Sequence, residues 1–273
     1  MLGKLRRKLK VLLAGVFLIG VFLMLHQSNQ YRQAEQKQAQ AQQIAMQPVK
    51  QAPTPTTEPV MQEVPEEKVP LESLPEPDEQ AKQMMALDIK ALQTVNPDVL
   101  GWITIPDTNI NYPLMAADTA DEYLHTAWDG SKSYSGSIYL ETQNNRAFSD
   151  FHSIIYGHNM ANGTMFGNLI LYKKQEFLQT HPYVYIVSGG TVRRYEIFAA
   201  YYAQVGSDTY YINFSSEQRR QEAIDYYLEQ SFLTSERIPT AQDRLLTLST
   251  CTGTGDYSQR LVVQAVLDIS WKY

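Results

Sequence analysis

A chain of 273 residues suits one domain of ordinary size with extensions, and 44% hydrophobic residues are enough for a real core. The net charge of −6 excludes the basic patch of a nucleic-acid binder; the first 80 residues are neutral overall, so the rest of the chain carries that charge itself. The single cysteine cannot form an internal disulfide and offers none of the Cys/His spacings of a zinc site.

The N-terminus places Lys4, Arg6, Arg7, Lys8 and Lys10 before an uncharged apolar run from Val11 to Leu25. A membrane span usually needs about 20 such residues; here Leu2, Leu5 and Leu9 can lengthen the run and Lys10 can snorkel to the interface. No small-x-small cleavage site follows, so residues 11–26 are expected to form an uncleaved signal-anchor rather than a cleaved signal peptide. A basic tail over 1–10 stays in the cytoplasm, which makes the chain a single-pass protein of the cell membrane with its folded part extracellular. Residues 27–78 read as an extracytoplasmic tether rich in Gln, Pro and Glu. Within it, 29–47 can be weakly helical, while 48–78 hold eight of the 13 prolines and no aromatic residue.

The folded domain is expected over 79–273. Ala81, Met84, Met85, Ile89, Leu92 and Val95 fall on one helical stripe ended by Asn96-Pro97. Short β-type runs follow at 101–105, 110–114, 136–140, 153–156, 183–187, 194–202, 245–251 and 261–267, separated by turn signals. They lack the strand–helix alternation of a parallel sheet and point to a mostly β sandwich or closed barrel. A polar helical stretch, Ser216 to Ser231, precedes the cysteine strand.

Three reactive side chains sit at strand ends. Cys251 closes Leu245–Cys251, Arg260 opens the strand after it, and His158 follows Ser153–Tyr156. A thiol is nucleophilic only as thiolate, so it needs a base or a positive charge beside it. His158 can act as base and later as acid toward a leaving amine. Arg260 stays cationic and can hold a carbonyl or an oxyanion. Separately, each has a structural reading: a buried small thiol, a structural imidazole, a strand-edge charge. His26, His125, His152 and His181 lack comparable context and read as solvent-facing or structural.

Thr247-Leu248-Ser249-Thr250-Cys251 followed by Arg260-Leu261-Val262-Val263 is similar to the cysteine–arginine signature of sortases. Ile155-Tyr156-Gly157-His158-Asn159-Met160 resembles their histidine motif, and Asn96–Ile103 with Asn111-Tyr112-Pro113 resembles their first strands. The Ser in Thr-Leu-Ser-Thr-Cys and the two helices point to class B, and the resemblance covers about residues 80–268. It implies a closed eight-stranded β-barrel with an N-terminal helix and a helix before the cysteine strand. It also implies a cysteine transpeptidase that cleaves a C-terminal sorting motif of NPxTx type after Thr, through a thioester. The donors would be surface proteins or pilins, and the acceptor an amine of a peptidoglycan precursor or a pilin. Cys251, His158 and Arg260 would be catalytic. Ser249, Thr250, Leu124, Tyr211 and Ile212 would line the substrate groove. Thr252 stands where some relatives carry an acidic residue. No cofactor, metal or nucleic acid is implied. A thiol peptidase hydrolysing the same bond, or a tethered binding domain without catalysis, are the alternatives.

Overall fold

A computed structural model describes residues 2–47, 75–251 and 258–273. The Pro-rich stretch 48–74 and Thr252 lie outside them.

Helix α1 (Leu2–Ala45) is one unbroken helix of 44 residues. The apolar side chains of its first half, among them Phe17, Phe22 and Leu25, are exposed, and it is long and apolar enough to cross a membrane. Beyond Leu25 it continues through the Gln/Ala-rich segment, where only weak helix is expected. Tertiary contact supplies what propensity lacks. Ala41 and Ala45 are fully buried against the domain, and the Asp88 N–H closes the helix end on Ala45 O at 2.8 Å.

The stripe expected as one helix is two, α2 (Glu79–Met85) and α3 (Ile89–Val95). Asp78 caps the first through the Ala81 N–H (2.8 Å) and Asp88 caps the second through the Ala91 N–H (2.9 Å). An Asp that accepts a first-turn amide starts a helix, and here it does so in the middle of the stripe. Ala81, Met84 and Leu92 are buried, whereas Val95 is exposed.

Eight strands follow: β1 (Val99–Thr104), β2 (Asn111–Met115), β3 (Ile138–Leu140), β4 (His152–Tyr156), β5 (Tyr183–Ser188), β6 (Thr191–Gln204), β7 (Leu245–Cys251) and β8 (Gln259–Lys272). They close into a barrel in the order β1-β2-β3-β4-β7-β8-β6-β5. Two neighbouring pairs, β2–β3 and β4–β7, are parallel; the other ladders are antiparallel. Closure removes every free sheet edge.

Alternate residues fill the barrel, including Ile103, Leu114, Ile155, Ile186, Leu248 and Val263. A 3-10 stretch, Gly167–Lys173, drops Leu169 and Tyr172 into the same core before α4 (Gln175–Thr180). The outer face of β6, β7 and β8 is covered by α5 (Glu217–Gln230), whose Ile224 and Tyr227 pack with Phe198, Tyr201 and Val262. Burial on both faces explains why β7 and β8 read as nearly continuous apolar runs.

Candidate active site

The parallel β4–β7 ladder pairs Tyr156 with Ser249 and gains one more bond beyond the strand, from the Gly157 N–H to Ser249 O at 3.1 Å. Two residues past each member of that pair stand His158 and Cys251. On the other side of β7, the antiparallel ladder makes Arg260 the register partner of Cys251. Neighbouring strands lie about 4.8 Å apart, so these three residues occupy one row across three adjacent strand ends. Gly157 is required for the first of them. A Cβ there would stand 2.8 Å from the Phe166 ring and collide with Ile138, so only glycine lets the chain pass into His158.

His158 is held from two sides. Its Nε2–H donates to Leu124 O at 2.7 Å, and the His125 ring stacks on it with centroids 5.6 Å apart. The Phe166 N–H anchors the His158 carbonyl at 2.9 Å. Because Nε2 carries the bonded proton, Nδ1 holds the lone pair in the neutral ring. Burial pushes the pKa of His158 below the ordinary histidine value, and the charges of His125 and Arg260 push it the same way.

Leu124, His158, Tyr211, Ile212, Ser249, Thr250 and Arg260 line one cavity of about 740 Å³. Leu124 closes a 3-10 turn, Glu122–Leu124, and Tyr211 with Ile212 follow the turn Asp208–Tyr210. Ser249 Oγ lies 3.0 Å from the Tyr210 hydroxyl. Thr250 Oγ1 is buried in the wall with no hydrogen-bond partner among the described residues.

Several wall residues are ones to which the sequence assigns no role. Tyr139, Tyr156, Asp121 and Glu141 are among them. The Tyr156 hydroxyl donates to Glu141 Oε2 at 3.0 Å, and burial together with the Glu141 charge raises its pKa far above the usual tyrosine value. Position could have flagged two of them, since Tyr156 immediately precedes Gly157-His158 and Glu141 immediately follows β3. His125, read from sequence as structural or solvent-facing, is exposed and packs on His158.

His152 is structural. It is fully buried under α5, donating from Nδ1–H to Tyr211 O at 2.9 Å, with Nε2 2.6 Å from Thr247 Oγ1. The chain continues from Thr247 to the Gln264 amide (2.7 Å) and from there to the Tyr201 hydroxyl (3.0 Å). This polar seam pins the groove segment at Tyr211 to the barrel wall.

The family model described as the sortase domain matches residues 103–268. Sortase B of Listeria monocytogenes serovar 1/2a is 38% identical over 183 residues, covering 66% of this chain and 74% of that protein. A Staphylococcus aureus sortase B–substrate complex superposes with a TM-score of 0.63 at 28% identity, covering 66% of this chain and 84% of the other. A sortase B complexed with Gly3 gives a TM-score of 0.62 at 28% identity, covering 67% and 85%.

Proposed function

The chain belongs to the class B sortases, a family of cysteine transpeptidases, and on that premise we propose that Cys251, His158 and Arg260 carry out acyl transfer from a sorting motif of NPxTx type to an amine. The reading rests chiefly on one observation: the three residues share a row at adjacent strand ends beside the cavity.

In this mechanism the Cys251 thiol gives its proton to Nδ1 of His158, the ring nitrogen that the Leu124 carbonyl leaves open. A lowered imidazole pKa keeps that nitrogen unprotonated and ready at neutral pH. The thiolate adds to the carbonyl carbon of the motif Thr, and negative charge develops on its oxygen. Arg260 holds that oxyanion: its guanidinium lines the cavity, is anchored through Nη1–H on Gln259 O at 3.0 Å, and stays cationic throughout. Collapse breaks the C–N bond, and His158 returns the proton to the leaving amine, giving a thioester. The acceptor amine then adds to the thioester carbon, losing its proton to His158, and the thiol is expelled. Thr250, Leu124, Tyr211, Ile212 and Ser249, all in the cavity lining, frame the extended motif. The amine class agrees with the relative complexed with Gly3.

The donors on this reading are surface proteins or pilins, the acceptor is peptidoglycan precursor or a pilin lysine, and residues 11–26 within α1 are the single membrane anchor that places residues 79–273 outside the cell. Full-length protein incubated with an NPQTN-type peptide should form a thioester adduct visible by intact mass, and Cys251→Ala should form none. Added triglycine should convert the adduct to the peptide–triglycine product. An adduct that survives Cys251→Ala, or no adduct with any sorting motif from a folded protein, refutes the assignment.

A further inference from the structure

The half of α1 beyond its apolar stretch grips the domain. Tyr31, Ala34, Gln38, Ala41 and Ala45 recur at helical spacing along its inner side; Ala41 and Ala45 are fully buried and Tyr31 packs against the barrel core. Small residues let the helix backbone approach closely enough for its polar atoms to be used. The Trp128 indole N–H donates to Lys37 O at 2.9 Å. The Lys37 ammonium meets the Ser131 hydroxyl and the Lys132 carbonyl (3.3 Å), with the Asp129 carboxylate at 3.8 Å. On a second loop, Asn162 Nδ2 donates to Glu35 Oε1 at 3.2 Å, and Thr164 and Met165 face the helix across a narrow crevice.

Those two loops are the ones that hold His158. Residues 124–137 supply its hydrogen-bond acceptor, Leu124 O, and its stacking partner, His125. Residues 159–166 follow it and end in the Phe166 N–H that fixes its carbonyl. The first loop is a compact turn, with a bridge between Thr126 and Lys132, the Ala127 N–H on Ser131 O at 2.8 Å and the Ser133 N–H on His125 O at 2.9 Å, and it meets α1 as a unit through Trp128 and Lys37.

We propose that the membrane-proximal half of α1 is a positioning element for His158, bracing the two loops that orient its imidazole. The proposal rests on the reading of His158 as the acid–base group. A catalytic group misplaced by about 1 Å costs on the order of 10²-fold in rate, so partial loosening of the brace should cost about tenfold.

The test uses the full-length chain in nanodiscs with three variants. Ala41→Glu drives a carboxylate into the fully buried seam and undocks the helix. Trp128→Phe removes only the indole N–H. Gln40→Glu, on the exposed side of the same helix, is the control. The rate constant of acyl-enzyme formation is measured by intact mass against pH, with KM for the peptide and the melting temperature recorded alongside. Ala41→Glu should lower the acylation rate constant about tenfold at little-changed KM, and move the acid limb of the pH profile toward the ordinary histidine value. Trp128→Phe should shift both in the same direction by a smaller amount, and Gln40→Glu should shift neither. A lower melting temperature with an unchanged rate constant and acid limb overturns the proposal, since a merely structural brace would give that. If Ala41→Glu yields no folded protein, Trp128→Phe decides alone. Wild-type protein that forms no acyl adduct at all sinks the functional reading itself, and this inference with it.

Discussion

Replacing His152 by Asn asks whether the buried seam behind the groove makes the barrel acid-sensitive. Burial pushes the pKa of His152 from 6.5 down to about 4. In the unfolded chain the same imidazole titrates at its ordinary value, roughly 6.5. Between those two pH values the unfolded state binds a proton that the folded state refuses, so the free energy of unfolding falls as the solution is acidified. The contribution is fully present above pH 6.5 and fully lost below about 4. At roughly 1.4 kcal/mol per pH unit, it amounts to roughly 3 kcal/mol. Asn keeps a donor for the Tyr211 carbonyl and cannot titrate; it also forfeits the Thr247 contact, a loss of about 1–3 kcal/mol at pH 7. Urea unfolding at pH 7, 6, 5 and 4 is followed by fluorescence of Trp102, Trp128 and Trp271, all buried in the folded domain. The wild-type advantage of about 1–3 kcal/mol at pH 7 should vanish or reverse by pH 4, the difference changing by roughly 3 kcal/mol across that range. Two curves that stay parallel would show that His152 does not titrate between the two states, and the reasoning would fail.

Gly157→Ala should lower stability by about 1–3 kcal/mol and slow acylation, because the new methyl meets the Phe166 ring and the Ile138 side chain beside His158; thermal melting and adduct formation measure the two effects. Wild-type values in both would show that the strand end has room. Arg260→Lys should fold normally, with an unchanged melt, yet lose about 10²-fold or more in acylation rate, since a point ammonium cannot reproduce the planar fork; near-wild-type turnover would remove Arg260 from the oxyanion role. Asp78→Ala should cost about 2 kcal/mol in a urea titration, because Asp78 caps α2 and also accepts from Tyr185 (2.8 Å) and Arg194 (2.6 Å). A change below about 0.5 kcal/mol would mean that Asp268, the other partner of Arg194, carries that corner alone.

All eight strands announce themselves through β-branched and aromatic runs bounded by turns, and the helix over the cysteine strand through its polar periodicity. The ends of β6 and β8 do not. Thr191–Arg193 and Ser270–Lys272 lie outside the β-type runs of the sequence, but they pair with each other, and Trp271 Nε1 donates to Pro75 O at 2.8 Å. Parallel pairing of β4 with β7 leaves no trace in composition, because both strands are short and their partners lie far away in sequence. Strand ends single out His158, Cys251 and Arg260; the register that lines them up belongs to the closed barrel. The inner side of α1 is silent in sequence for another reason. Alanines among glutamines give no apolar stripe, and the contact is made through backbone acceptors such as Lys37 O and Asn111 O. His125, Asp121 and Glu141 enter the site from loops, where no periodicity marks them.

The row of three strand ends has a consequence for the life of the chain before it is folded. His152 and Thr247, neighbours across the β4–β7 junction, are 95 residues apart in sequence. Local hairpins such as β1–β2 and β5–β6 can form early, since closing a short loop costs little chain entropy; the β4–β7 junction requires long-range closure and comes late. Until it forms, Cys251 is a solitary thiol with an ordinary pKa of about 8.5, mostly protonated at neutral pH and slow to react. On the proposed assignment of Cys251, the barrel works as its own safety catch: the thiol meets its base and its cation only when the distant segments meet, and a part-folded chain carries no armed thiol.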